Sequence, residues 1–443
     1  MPPTSTIGLS LNRPYLKRLA IPYSSSRNNE NSAKFIAWGL HCLLAYPLYL
    51  SIFVPETGVV NIKRLGGLVI FNFGLLCLCY AGIIEYKKKT SFSLSRTTRV
   101  MLFIIISWGL ITIIRSLQPN IRTLTWLFGY PLAGGAWIIP VVAIVGTQKS
   151  CWEYLGRIFF THTTLGVFIQ CLNLGTLIGT GSALIWVYPG ILAYATPILL
   201  FTWHKNKTYI TLISFSGLLL YCIDSMVQLV RSGVGLSIYY MFCFFCIILL
   251  SKCSVQQKMK VIIPIIFVVL PLFLLCIMLI PTDTVRIQAE AFSEKFLLDT
   301  HSAGLLEFIE QTSGKELIIG RGALGRYYSY YFEAFEPEGR VNIECGYLQI
   351  VHKGGLVMLI PFLLLTIPAA YLGIFDSKNH LTIAAGLLVL GQLLYMLVHG
   401  MPSADPTYVL FWLAVGACLN KKLRYADVNL FSNNRTAVSG KIL

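Results

Sequence analysis

The stretch GYLQIVHKGGLVMLIPFLLLTIPAAYLG, residues 346–373, decides how the rest of the chain is read. Apart from His352 and Lys353 near its start it holds no Asp, Glu or Arg, and it exceeds the roughly 20 apolar residues that a helix needs to cross a bilayer. Comparable runs recur at 35–54, 65–84, 100–114, 123–146, 158–179, 184–203, 208–223, 233–251, 261–280, 381–398 and 407–419, which with 346–373 makes twelve. Only 12% of the 443 residues are charged, against about 25% in a soluble domain. With a mean hydropathy of +0.69, the sequence predicts an all-α polytopic membrane protein of about twelve spans.

Basic residues set the expected orientation, because loops rich in Lys and Arg stay in the cytoplasm. Arg13, Lys17, Arg18, Arg27 and Lys34 precede the first run, alternate loops are basic from Lys87 to Lys89 onward, and Lys421, Lys422, Arg424, Arg435 and Lys441 follow the last run. Both termini are therefore expected to be cytoplasmic. The segment before residue 35 lacks the order of a cleavable signal peptide, so the first span is expected to be retained. The net charge of +16 then follows from topology and from contact with anionic headgroups. Nucleic-acid binding is not expected, since no basic stripe is interleaved with exposed aromatics. The cysteines lack metal-ligand spacing, Cys243 and Cys246 read as packing residues, and Cys345 alone faces outward.

The predicted organisation is a cytoplasmic tail over 1–34, helices 1–9 over 35–280, an extracytoplasmic loop over 281–345, helices 10–12 over 346–419 and a second cytoplasmic tail over 420–443. The outward loop is much longer than an ordinary connection, and long ordered loops tend to be functional. DTVRIQAEAFSEKFLLD has a helical pattern with Asp283 as N-cap. SAGLLEFIEQTSGKELI has another, with Ser302 as N-cap and a break at Gly314. Both are amphipathic enough to lie on the membrane or over a cavity. In IIGRGALGRYYSYYFEAFEPEGR, glycines at 320, 322 and 325 allow turns around Arg321 and Arg326, and an aromatic group from Tyr327 to Phe335 suits sugar stacking or headgroup anchoring.

The predicted outer surface favours arginine: Arg64, Arg115, Arg122, Arg231, Arg286, Arg321, Arg326 and Arg340. A guanidinium binds phosphate or carboxylate with two parallel hydrogen bonds, which an ammonium cannot do. Two further features lie within the predicted spans. Asp224 and Arg231 bracket DSMVQLVRSGVG at the outer end of the seventh and eighth. Pro131, Pro140, Pro189 and Pro197 predict kinked helices.

Taken together, VRSGVGL with Arg231, the one large outer loop, the turn IIGRGALG and the following ECGYLQIVHKGGL resemble the bacterial O-antigen polymerase and O-antigen ligase superfamily. Ligases of that superfamily carry a His-Asn pair where this chain has Glu344 and Cys345, so the resemblance leans towards the polymerase branch. It implies a GT-C-like fold in the inner membrane of a bacterium. It also implies metal-independent joining of polyprenyl-diphosphate-linked oligosaccharide repeat units at the outer face, with no cofactor, and with a chain-length regulator and a flippase as partners.

The same resemblance singles out Arg231 and Arg321 to hold the leaving diphosphate, with Arg326, Arg340 and Lys353 contributing. Glu344 is the expected proton acceptor, sharing a helix face with Tyr347, and His352 is expected to orient the acceptor sugar or tune Glu344. Two alternatives stay open: a ligase with the same fold, and a lipid-linked oligosaccharide flippase. Twelve spans and kinked helices suit the flippase too, but no internal repeat is visible and alternating access needs no long loop.

Overall fold

The computed structural model describes residues 34–43, 62–87, 94–117, 134–180, 189–203, 206–227, 230–271, 300–330, 339–399 and 403–426, with the single positions 32, 45, 127 and 274. Helix makes up 82% of it, and the described residues form no strand. In chain order the helices are α1 (Ile62–Lys87), α2 (Arg96–Ile114), α3 (Gly134–Gly146, with a 3-10 turn at Ile139–Val142), α4 (Lys149–Thr180) and α5 (Pro189–Phe201). Next come α6 (Thr208–Val227), α7 (Arg231–Leu250) and α8 (Val255–Pro264, continued by a π turn at Ile265–Val269). They are followed by α9 (Thr300–Glu310), α10 (Gly314–Ile319), α11 (Gly346–Gly354), α12 (Leu356–Phe375), α13 (His380–Tyr395), α14 (Pro406–Leu419) and α15 (Lys421–Tyr425).

Four helices are long and apolar enough to cross a membrane: α2, α6 over Thr208–Met226, α7 and α12. Shorter apolar helices occupy Val69–Ile84, Gly134–Gly146, His380–Tyr395 and Pro406–Leu419. Large apolar side chains stand exposed along the spans, among them Phe103, Phe242, Leu250 and Leu364. In water such a surface is a liability, whereas in lipid it is the expected exterior. The chain is a helical membrane protein.

The core is built around α14. Its sequence PTYVLFWLAVGACL is apolar on every side, and a helix of that kind belongs inside a bundle. Asp405 starts it by accepting hydrogen bonds from the Thr407 and Tyr408 amides at 2.7 and 2.9 Å. Small residues then let α3 approach closely: a methyl group on Gly416 would sit 1.9 Å from the Ala143 carbonyl oxygen. α12 and α13 pack against α14, and α2 packs against α12. At one end of the bundle α15 is fastened to the end of α12. Arg424 donates to the Asp376 carbonyl at 2.6 Å and to its carboxylate, and the Lys378 and Asn379 amides both donate to the Arg424 carbonyl at 3.0 Å.

Several predicted boundaries move. The run 346–373 is two helices, because the chain turns at Gly355 with φ 70° and ψ −176°. There the backbone of Ile318 presses so close that an added Cβ would lie 2.1 Å from its carbonyl oxygen. The second loop helix starts at Thr300 rather than after a Ser302 cap, and α10 begins anew one residue after Ser313. The Ser313 hydroxyl accepts from the Glu316 amide at 3.3 Å while Glu316 accepts from the Ser313 amide at 3.0 Å, a reciprocal cap. The helix expected over DTVRIQAEAFSEKFLLD, and Pro131, Tyr331, Phe332 and Phe335, lie outside the described residues.

Candidate functional site

The loop following α10 folds back onto α11 through its backbone. The Arg321 and Gly322 amides donate to the His352 and Lys353 carbonyls at 2.7 and 3.0 Å, and the Ala323 amide donates to the Thr112 carbonyl at 3.2 Å. Gly320 makes this approach possible, having φ 69° and a position where an added Cβ would meet the Lys353 carbonyl oxygen at 2.3 Å. The end of α2 completes the seam. The Arg115 guanidinium donates to the Ile319 and Gly320 carbonyls at 2.6 and 2.9 Å, and the Trp108 indole donates to the Gly354 carbonyl at 2.6 Å.

This folding gathers cations around one acceptor. Lys353 Nζ donates to the Gly325 carbonyl at 2.6 Å, and His352 Nε2 lies 3.1 Å from the same oxygen. Lys353 is 0% exposed. Burial pushes its ammonium well below the ordinary lysine range, and the positive charges of Arg326 and then Arg321 push it further. His352 is held below the ordinary histidine range by burial, then by Lys353 and Arg321. Among the described residues no carboxylate forms a salt bridge with Lys353, and Arg321 beside it is paired with Glu316 at 3.1 Å.

Arg321 is held by the loop itself. Its guanidinium donates to the Arg326 carbonyl at 2.8 Å, to the Gln311 carbonyl and to Glu316 at 3.1 Å. The Ser313 amide, and to a lesser degree Arg321, keep the Glu316 carboxyl below the usual carboxylate range. Gln311 acts as a strut, donating to the Tyr328 carbonyl at 2.6 Å and accepting from its amide at 2.9 Å. Arg321 therefore shapes the loop and lends charge to the cluster, while its Nε is buried without a hydrogen-bond partner.

A second group adjoins the first through aromatic contacts. The His352 ring stands edge-on to Phe308 and Tyr327 at centroid distances of 5.3 and 5.6 Å. Tyr327 and Arg340 exchange backbone hydrogen bonds at 3.0 and 2.7 Å. Arg340 Nη2 lies 3.8 Å from Glu344 Oε1. Glu307 accepts a hydrogen bond from Ser329.

The expected site residues thus separate into three places. Arg321, Arg326, His352 and Lys353 form one cluster, and Arg340 pairs with Glu344 beside it. Arg231 opens α7, where the neighbouring Gly233 lies against Ser225 and Tyr221 of α6. One expectation needs correction. Glu344 precedes α11 and its N-cap Cys345, so it does not share a helix face with Tyr347. The Tyr347 hydroxyl donates to the Leu393 carbonyl at 2.6 Å, which docks α11 on α13. Sequence reasoning missed the Gly325 carbonyl, Gln311 and Trp108. Backbone acceptors leave no residue-type signal, but the Ser313-x-x-Glu316 pattern could have shown where α10 begins.

No group of three His, Cys, Asp or Glu side chains among the described residues converges as a metal site would require. No family model, curated protein or solved structure matches the chain.

Proposed function

We propose that the protein is a glycosyltransferase that joins polyprenyl-diphosphate-linked oligosaccharide repeat units at the outer face of a bacterial inner membrane, the polymerase of an O-antigen, capsule or exopolysaccharide. One observation carries this reading: buried Lys353 shares the Gly325 turn with His352 under the charges of Arg321 and Arg326. A diphosphate is the anion such a cluster suits, and a membrane protein meets diphosphates on lipid carriers. The sequence resemblance supplies the reaction and a flippase and chain-length regulator as partners, while the apolar runs and the placement of basic residues supply twelve spans and cytoplasmic termini.

In the reaction a hydroxyl of the acceptor sugar attacks the anomeric carbon of the donor. The carbon–oxygen bond to the diphosphate breaks, and its electron pair leaves with the polyprenyl diphosphate. Arg321, Arg326 and Lys353 stabilise that growing negative charge. Glu344, held beside Arg340, takes the hydroxyl proton.

The test is reconstitution of purified protein with a short lipid-diphosphate oligosaccharide. Elongation of the glycan supports the polymerase. Transfer only onto a different lipid acceptor indicates a ligase, and translocation without bond formation indicates a flippase.

A further inference from the structure

The end of α10 is pinned to the ends of two helices long enough to span a bilayer. Arg115, one residue past α2, donates to the Ile319 and Gly320 carbonyls at 2.6 and 2.9 Å. The Ala323 and Leu324 amides donate to the Thr112 carbonyl and the Ser116 hydroxyl, at the same end of α2, at 3.2 and 3.1 Å. From the other side the Ile318 backbone abuts Gly355, the N-cap of α12, where an added Cβ would lie 2.1 Å from the Ile318 carbonyl oxygen. With 19 and 20 residues, α2 and α12 are each about 30 Å long, the thickness of the hydrocarbon core, so these two ends mark one boundary of the bilayer.

That boundary fixes the depth of two apolar side chains. Leu317 and Ile318 directly precede Ile319, and successive Cα atoms are about 3.8 Å apart, so both lie within about 7 Å of it. α10 packs against α11 and α12, yet Leu317 and Ile318 remain 42% and 54% exposed. Apolar side chains at this depth meet headgroups and upper acyl chains, the region where a surface-lying apolar helix face is buried.

We infer that α10 is an interfacial anchor, with Leu317 and Ile318 immersed in the phospholipid bordering this end of the bundle, holding the 320–324 turn at headgroup depth. The inference stands apart from the function proposed above. Depth selects lipid over water as the cover. Two side chains also fall far short of the roughly 800 Å² that a stable protein interface buries on each partner, whereas lipid covers any apolar surface at its level.

The experiment uses the full-length protein in phosphatidylcholine nanodiscs, with a fraction of the lipid carrying a diazirine either beside the ester carbonyl or at the end of the acyl chain. Peptides containing 317–318 should be labelled at least about threefold more by the ester-proximal probe, and those containing mid-span Phe103 and Phe242 more by the chain-end probe. Hydroxyl-radical oxidation at 317–318 without lipid labelling would place them in water and overturn the inference. Protection from both reagents would mean that protein, such as a second copy of the chain, covers them, and equal labelling by the two probes would put α10 in the hydrocarbon core; either overturns it too. Leu317→Asn and Ile318→Asn together test the anchoring, at exposed positions where folding should survive. In nanodiscs the Arg321, Gly322 and Ala323 amides, which bond the His352, Lys353 and Thr112 carbonyls, should exchange with deuterium about tenfold faster in this variant. Unchanged exchange would show that the lipid contact does not hold the turn.

Discussion

Lys353 Nζ donates to the Gly325 carbonyl at 2.6 Å while having no exposed surface. That contact joins the end of α11 to the loop after α10, and it commits a lysine to a place where Arg321 and Arg326 also bring positive charge. Burying a charge among like charges costs stability.

Replacing this lysine should separate folding from function. Lys353→Met keeps the length of the side chain and removes the desolvated charge. Its thermal stability in detergent should equal or exceed the wild type, by about 1 kcal/mol. Elongation of a lipid-diphosphate oligosaccharide should fall about a hundredfold. A variant that elongates normally would place the substrate elsewhere.

The pH dependence of stability has a predicted sign. His352 has a folded value below the ordinary 6.5, through burial and then the charges of Lys353 and Arg321. Below that ordinary value the unfolded chain takes up a proton that the folded chain refuses. Stability is therefore fully present above about pH 6.5 and is lost as pH falls below it, by up to about 1.4 kcal/mol per pH unit. Thermal unfolding from about pH 5 to pH 8 should show this slope, and His352→Phe should lessen it, the remainder coming from Lys353, whose folded value burial, Arg326 and Arg321 also push down. An unchanged slope in the variant would assign it to other groups.

Gly355→Ala tests the break between α11 and α12. Its backbone lies in a region essentially closed to other residues, and the new Cβ would meet the Ile318 carbonyl oxygen at 2.1 Å. A loss of about 3 kcal/mol or more is expected, read as lower yield and a lower Tm in detergent. Gly314→Ala is the control: nothing lies within 4 Å of its added Cβ, and Tm should hardly move.

Glu344 is partly exposed at 37% of its side chain and lies 3.8 Å from Arg340. An ion pair of this kind is worth less than about 1 kcal/mol, so Glu344→Gln should fold normally. If Glu344 accepts the hydroxyl proton, kcat should fall about a hundredfold while binding of the diphosphate lipid stays constant. Normal turnover in the variant would show that Glu344 is not the proton acceptor.

Some of this was legible in residue order. The runs of α2, α7 and α12 are long and apolar enough to cross a bilayer by composition alone, and Arg321 and Arg326 stand out because glycine turns flank them in an oily chain. The division of 346–373 was hidden, because two adjacent glycines in an apolar run fit a helix interior until the Ile318 backbone arrives from 37 residues before Gly355. The burial of Lys353, a charged residue near the start of that run, was likewise decided by the fold.

The sequence by itself determined that the chain is a helical membrane protein, since hydropathy is a property of local composition. Only the tertiary structure decided which charges meet. The Gly325 carbonyl, the seam from Arg115 to Gly320 and the pairing of Arg340 with Glu344 depend on backbone groups and close approaches between distant segments. Residue order carries no direct signal for such contacts, because every residue except proline offers the same amide and carbonyl.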